Sequence, residues 1–261
     1  MSELDWKNKP LMDWARSNHH SWFNNLILSW RDVLPEESEF QQYVYRVEDT
    51  ASDLDVSNIV GQWEHYQGQS WREALLDPQY KRWKMLLNVA MADRNPAYYF
   101  SDDCDRQEIS FSSIDGTNWY THGGGAHRTV IAKFLFQMRK NYTGAPMLIR
   151  GVSKRRYFVD NVSWDYARQL ALLSSERNLP LFVKAHREAD GSRKKNSWNL
   201  FFSVSDNRYG HRRSVMPPDQ FHRFAERVLQ SNGKLRFREK AGYISSMFLP
   251  FVNRSDIRWE R

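Results

Sequence analysis

At 261 residues, 41% hydrophobic and 15% aromatic, the chain has enough apolar mass for one large or two small packed domains, and its composition excludes a disordered polymer. Its single cysteine, Cys104, excludes an internal disulfide and a cysteine-based zinc cluster. The net charge of +7 is uneven: residues 1–138 carry 13 Lys/Arg against 20 Asp/Glu, and residues 139–261 carry 25 against 11. A basic half of this kind suits a polyanion such as DNA, an acidic protein partner, or the acidic half of its own chain.

The opening residues, MSELDWKNKPLMDW, interleave charges with apolar side chains and form no signal-peptide core. No apolar run approaches the roughly 20 residues of a membrane helix, so a cytoplasmic protein without a membrane partner is expected. Apolar spacing over 10–34 predicts a helix stopped by Pro35, followed by an acidic linker over 35–39. Aromatic and β-branched residues predict a strand over 43–47, and DTASDLDVS reads as a polar loop. Asp77-Pro78 opens a predicted helix that runs to about Asp93 on an apolar face of Tyr80, Trp83, Leu87 and Ala90. EISFSSIDG and NWYTH read as two short strands about an Asp-Gly turn, and Val130, Ile131, Phe134, Leu135 and Met138 mark a buried helix. PMLIRGVSKRRYFVD resembles a hairpin or bent strand pair, and SWDYARQLALLSSER an amphipathic helix capped by Ser163. LFVKAHRE and WNLFFSVSD read as a hairpin with a cationic tip, and PPDQFHRFAERVLQSNG as a helix between its prolines and Gly233. Interleaved strands and helices point to an α+β or α/β fold.

The window IDGTNWYTHGGGAHRTV carries the chemistry. Gly123, Gly124 and Gly125 lack a Cβ, so their amides can converge on a ligand. The following helix starts with N–H groups that have no intrahelical partner and a dipole that favours negative charge. Together with Arg128, His127 and Thr129 this predicts a phosphate site, with Arg128 neutralising charge and His127 moving a proton near neutral pH. Asp115 is open to two readings, a Mg²⁺ or water-holding carboxylate near that phosphate, or an Asp-Gly turn residue.

Ile114-Asp115-Gly116, a short strand, and Gly124-Gly125 followed by His127-Arg128 and Ala132 resemble the nucleotide-binding box of the ParB/sulfiredoxin superfamily. The likeness covers about residues 42–160. It implies an α+β fold with a mixed sheet, binding of ATP or another nucleoside triphosphate with Mg²⁺, and DNA as a partner. Ala126 stands where sulfiredoxins carry their reactive cysteine, and Ala126-His127-Arg128 replaces the Glu-Arg-Arg group of partition-type ParB proteins. The pattern is thus nearest to superfamily members that act as ATPases or DNases, including plasmid fertility-inhibition proteins. The implied division is an N-terminal helical segment at 1–40, a nucleotide-binding core at 41–160 and a basic α/β extension at 161–261. A second reading keeps the scaffold as a non-catalytic DNA-binding or inhibitor protein.

Three basic clusters are candidate DNA contacts: Lys154, Arg155 and Arg156; Arg193, Lys194 and Lys195; and Arg208, Arg212 and Arg213. Tyr157, Trp198 and Tyr209 lie close enough in sequence to stack on exposed bases. Asp102, Asp103, Asp105 and Glu108 read as an exposed acidic loop, with metal binding as the second reading, and His19-His20 as a surface pair. No Gly-x-Ser-x-Gly nucleophile, Walker loop or Rossmann fingerprint is present.

Overall fold

The computed structural model describes residues 7, 9–34, 39–63, 65–100, 109–122, 125–191, 196–206 and 213–233. These form a mixed α+β structure in two compact units, Met1–Pro35 with Glu48–Tyr157, and Glu36–Val47 with Phe158–Arg261. No described helix is long and apolar enough to cross a membrane.

In the first unit, α1 (Leu11–Ser17) is much shorter than the predicted helix. Asn18 turns extended and its side-chain amide donates to the Trp14 carbonyl, ending the helix. A 3-10 turn (Ser21–Asn24), β1 (Leu28–Ser29) and a single turn, α2 (Trp30–Val33), follow. The break lets Trp14, Phe23, Ile27 and Trp30 all be buried, which no single helical stripe allows.

Strand β2 (Val44–Asp55) absorbs the predicted polar loop. It is the edge of a six-stranded sheet ordered β1-β3-β5-β4-β6-β2, where exposed polar side chains are tolerated. The other members are β3 (Ile59–Gln62), β4 (Ser110–Ser113), β5 (Trp119–His122) and β6 (Leu148–Val159). β4 and β5 pair antiparallel, whereas β3 with β5 and β4 with β6 pair parallel. The expected hairpin over 146–160 is therefore one twelve-residue strand, whose Gly151 amide donates to Asp53 on β2.

Helices α3 (Trp71–Leu76), α4 (Arg82–Arg94) and α5 (Ala126–Thr143) pack in the same unit. α3 starts at a capping box in which Ser70 and Glu73 satisfy each other's backbone amides. α4 begins four residues later than Pro78 suggested, because Lys81 adopts a left-handed conformation. α5 is the central helix, buried at every position from Ala126 to Met138 except Arg128. Phe134 is fully buried against Trp22 and Phe23, with ring centroids 4.9 and 4.7 Å away.

The second unit holds α6 (Asn161–Arg177), α7 (Pro218–Gln230) and an antiparallel sheet of β7 (Leu181–Ala189), β8 (Trp198–Asp206) and β9 (Arg213–Met216). Asp160, not Ser163, caps α6. Its carboxylate accepts the Ser163 amide at 3.0 Å and the Ser163 hydroxyl at 2.6 Å. Phe202 of β8 stacks on Phe221 of α7 at 4.4 Å, joined by Tyr43, Leu170, Leu181 and Val228 in the core.

Candidate anion-binding site

β5 leads into α5 through residues 123–125, of which Gly123 and Gly124 lie outside the described residues. Gly125 is the N-cap, with φ −88° and no side-chain capping bond. Its lack of a side chain answers packing, since a Cβ there would lie 3.2 Å from both Ile109 and Thr121. Thr129 also turns inward. Its hydroxyl donates to the Gly125 carbonyl at 2.9 Å and accepts from Thr121 at 3.0 Å, and the residue is 1% exposed. The Gly125 Cα and the Thr129 side chain therefore pack within the turn. Ala126, His127 and Arg128 line a cleft, with first-turn amides that the helix itself leaves without acceptors.

These three residues form one wall of a cleft of about 440 Å³. The start of α4 and the segment before it supply Tyr80, Lys81, Trp83, Lys84, Leu87 and Asn88, and His65 completes the lining. No carboxylate occurs among the described lining residues, so Lys81, Lys84 and Arg128 give the cleft a positive field. The Tyr80 ring stacks on His65 with centroids 4.1 Å apart and planes inclined by 15°. Sequence reasoning missed Lys81 and Lys84 because their role depends on α4 reaching the start of α5. Their one local signal is the alternation of Tyr80, Lys81, Trp83 and Lys84.

His127 is buried, and Tyr66 lies 2.5 Å from its Nδ1. Burial pushes the Tyr66 phenol up, so it stays protonated beside Nδ1. Burial, with the nearby charges of His65, Lys84 and Lys81, pushes the His127 pKa down to about 4. In the unliganded site the imidazole therefore carries no charge near neutral pH.

Asp115 lies at the opposite end of the β4–β5 hairpin from the start of α5, because Ser110 pairs with His122 and Ser112 with Tyr120. The four residues of β5 set the two ends roughly 13 Å apart. Asp115 Oδ1 accepts from Ser113 Oγ and the amides of Thr117 and Asn118, and Oδ2 accepts from Asn118 Nδ2. The carboxylate closes the turn, in which Gly116 takes φ +77°, and it does not fit a Mg²⁺ ion at the cleft. Among the described residues no cluster of three or more His, Cys, Asp or Glu is placed to hold a metal.

The basic residues divide similarly. Lys154, Arg155 and Arg156 lie on β6, not in a loop. Arg155 forms a two-pronged pair with Asp49 at 2.6 and 3.0 Å, and Lys154 donates to the Asp53 carbonyl. Arg156 donates to the Asp115 carbonyl at 3.3 Å. Part of the charge asymmetry is therefore consumed by pairing between acidic β2 and basic β6. Arg213 starts β9 and lies 2.8 Å from His186 Nε2. Arg193, Lys194, Lys195, Arg208 and Arg212 lie outside the described residues, as do Tyr209 and the acidic loop at 102–108. Tyr157 packs on Trp30 at 5.3 Å, and Trp198 carries the Arg187 guanidinium at 5.0 Å. His122 ends β5 edge-on to Trp63. His19 and His20 are engaged by Arg72 and Asn141.

Two further features had no sequence warning. Lys133 is 3% exposed, donates to the carbonyls of Val56 and Ile59 at 2.9 and 2.6 Å, and lies 4.6 Å from the Trp71 ring and 5.0 Å from Trp22. The second unit contains a hollow of about 620 Å³ lined by Tyr45, Trp198, Phe201, Pro217 and Asp160 among others. With no cation among its described lining residues, it does not suit phosphate. No known protein family, curated protein or solved structure matches this chain.

Proposed function

We propose that the chain is a nucleotide-binding protein on a ParB/sulfiredoxin-like scaffold, holding the phosphates of ATP or another nucleoside triphosphate between Lys81, Lys84 and Arg128. The observation that carries this reading is the cationic cleft at the first turn of α5, with no carboxylate among its described lining residues. The order of strand, glycine turn and central helix supports the scaffold. DNA is the polyanion proposed for the basic half, whose net charge is +14 over residues 139–261.

Binding without hydrolysis is the form favoured by the site. His127 is buried and neutral, and Asp115 is spent on its own turn far from the cleft, so neither is poised for turnover. The test is titration of the full chain with nucleoside triphosphates at low salt, with and without DNA, alongside a Lys84→Ala/Arg128→Ala variant. Binding that survives in the folded double variant refutes the site. Metal-dependent release of phosphate by the wild-type chain refutes the non-hydrolytic form alone.

A further inference from the structure

Trp83 stands in the first turn of α4 with 64% of its surface exposed, while Trp14, Trp30, Trp71 and Trp119 of the same unit are each 6% exposed or less. An indole left in water forgoes the largest apolar gain available to any side chain, so its place on the wall of a cationic cleft calls for an occupant. Leu87, one turn further along α4 and 53% exposed, extends the same apolar strip. The neighbouring ring, Tyr80, is already stacked on His65. Lys84 Nζ lies 5.4 Å from the centre of the Trp83 ring, and Lys81 Nζ 4.9 Å from that of Tyr80.

We infer that Trp83 is a base-stacking platform and that the cleft takes an unpaired nucleobase together with its phosphate. The inference rests on the phosphate reading above and adds the chemical class of the ligand's other half. A flat apolar ring beside an ammonium matches a flat base joined through one sugar to an anion. Stacking on Trp83 and charge pairing with Lys84 and Arg128 then act on two parts of one ligand. A base inside a duplex has both faces covered by its neighbours and cannot lie on the indole. The ligand is therefore a free nucleotide or an unpaired strand, which share this chemistry.

The experiment measures the affinity of the full chain, Trp83→Ala and Trp83→Phe for ATP, a labelled oligothymidine and inorganic tripolyphosphate. The expected result is that base-bearing probes bind the wild type more tightly than tripolyphosphate. Trp83→Ala then weakens ATP, the oligothymidine or both by about tenfold, while leaving tripolyphosphate within about twofold. Trp83→Phe retains most of the affinity, and the probe that loses more identifies the natural source. Because Trp83 is exposed, the alanine variant keeps its fold, which circular dichroism checks. Equal loss for all three probes, or no loss, overturns the stacking role. Tripolyphosphate binding as tightly as the base-bearing probes also overturns it and leaves the phosphate site standing. A wild-type chain that binds none of the three overturns both.

Discussion

The two ends of the β4–β5 hairpin carry comparable polar chemistry and use it in opposite ways. At the Asp115 end every carboxylate oxygen is met by a donor from the same turn, and Gly116 supplies the positive φ that brings those donors round. At the α5 end the first-turn amides and the side chain of Arg128 border a cleft, faced by Lys81 and Lys84 from another helix. A turn that satisfies itself contributes stability, whereas backbone amides that a helix leaves without intrahelical acceptors are available to a ligand. The window IDGTNWYTHGGGAHR thus reads as one motif in sequence but comprises a structural end and a binding end.

Substitutions at the two ends should give crossed effects. Lys84→Ala combined with Arg128→Ala removes two charge-assisted contacts, each worth roughly 1.5–3 kcal/mol. Nucleotide affinity at low salt should fall by about a hundredfold or more in a variant that circular dichroism shows to be folded. Asp115→Ala should do the reverse, costing about 1–3 kcal/mol of stability in urea unfolding and leaving affinity within about twofold. Burial works against the Asp115 charge. The amides of Asn118 and Thr117, with the side chains of Asn118 and Ser113, nevertheless hold its pKa below the usual carboxylate range. Its stabilisation is therefore present at neutral pH and lost in acid as the carboxyl takes up its proton. Asp115→Ala that abolishes nucleotide binding in a folded protein would break the comparison.

The sequence made some of this legible for identifiable reasons. α6 and α7 show helical periodicity bounded by proline and glycine, and the Asp-Gly turn marks β4 and β5. The Ser70–Glu73 capping box was a readable local signal for α3 that apolar spacing alone passes over. Other features have no local signature. The second half of β2, over 49–55, looks like a loop because its polarity is that of an edge strand, and only pairing reveals it. Nothing local marks Lys133 as buried, because its acceptors, Val56 and Ile59, lie more than 70 residues away. The cationic wall of the cleft is divided between α4 and α5, so neither helix alone shows it.

Lys133 extends the comparison along α5 itself. Arg128 lines the cleft, while Lys133, just over a turn further on, is sealed among Trp22, Trp71 and two carbonyls. Burial pushes the Lys133 pKa down to about 7, against the opposing pull of Asp55. The folded state therefore binds fewer protons than the unfolded chain between pH 7 and about 10.5, so stability rises with pH across that window. The expected gain is about 2 kcal/mol from about pH 7 to pH 9, read as a rising denaturation midpoint. Lys133→Met should remove this component of the slope, whatever it does to baseline stability. An identical slope in the two proteins would show that Lys133 is charged in both states.

His127 gives the smallest effect and tests the cleft end from the acid side. Its folded pKa of about 4 lies below the free value of 6.5, so the unfolded chain again binds the extra proton. Stability contributed by the neutral imidazole is full above pH 6.5 and falls as the pH drops toward 4, by about 1 kcal/mol between pH 6 and pH 5. A bound anion opposes this trend, because negative charge beside the imidazole stabilises the protonated ring. Saturating nucleotide should therefore flatten the acid slope of the wild type, and tripolyphosphate should do so as well. His127→Gln should show the shallower slope without any ligand. If the ligand leaves the wild-type slope unchanged, the anion does not reach His127, and the binding end shrinks to Lys81, Lys84 and Arg128.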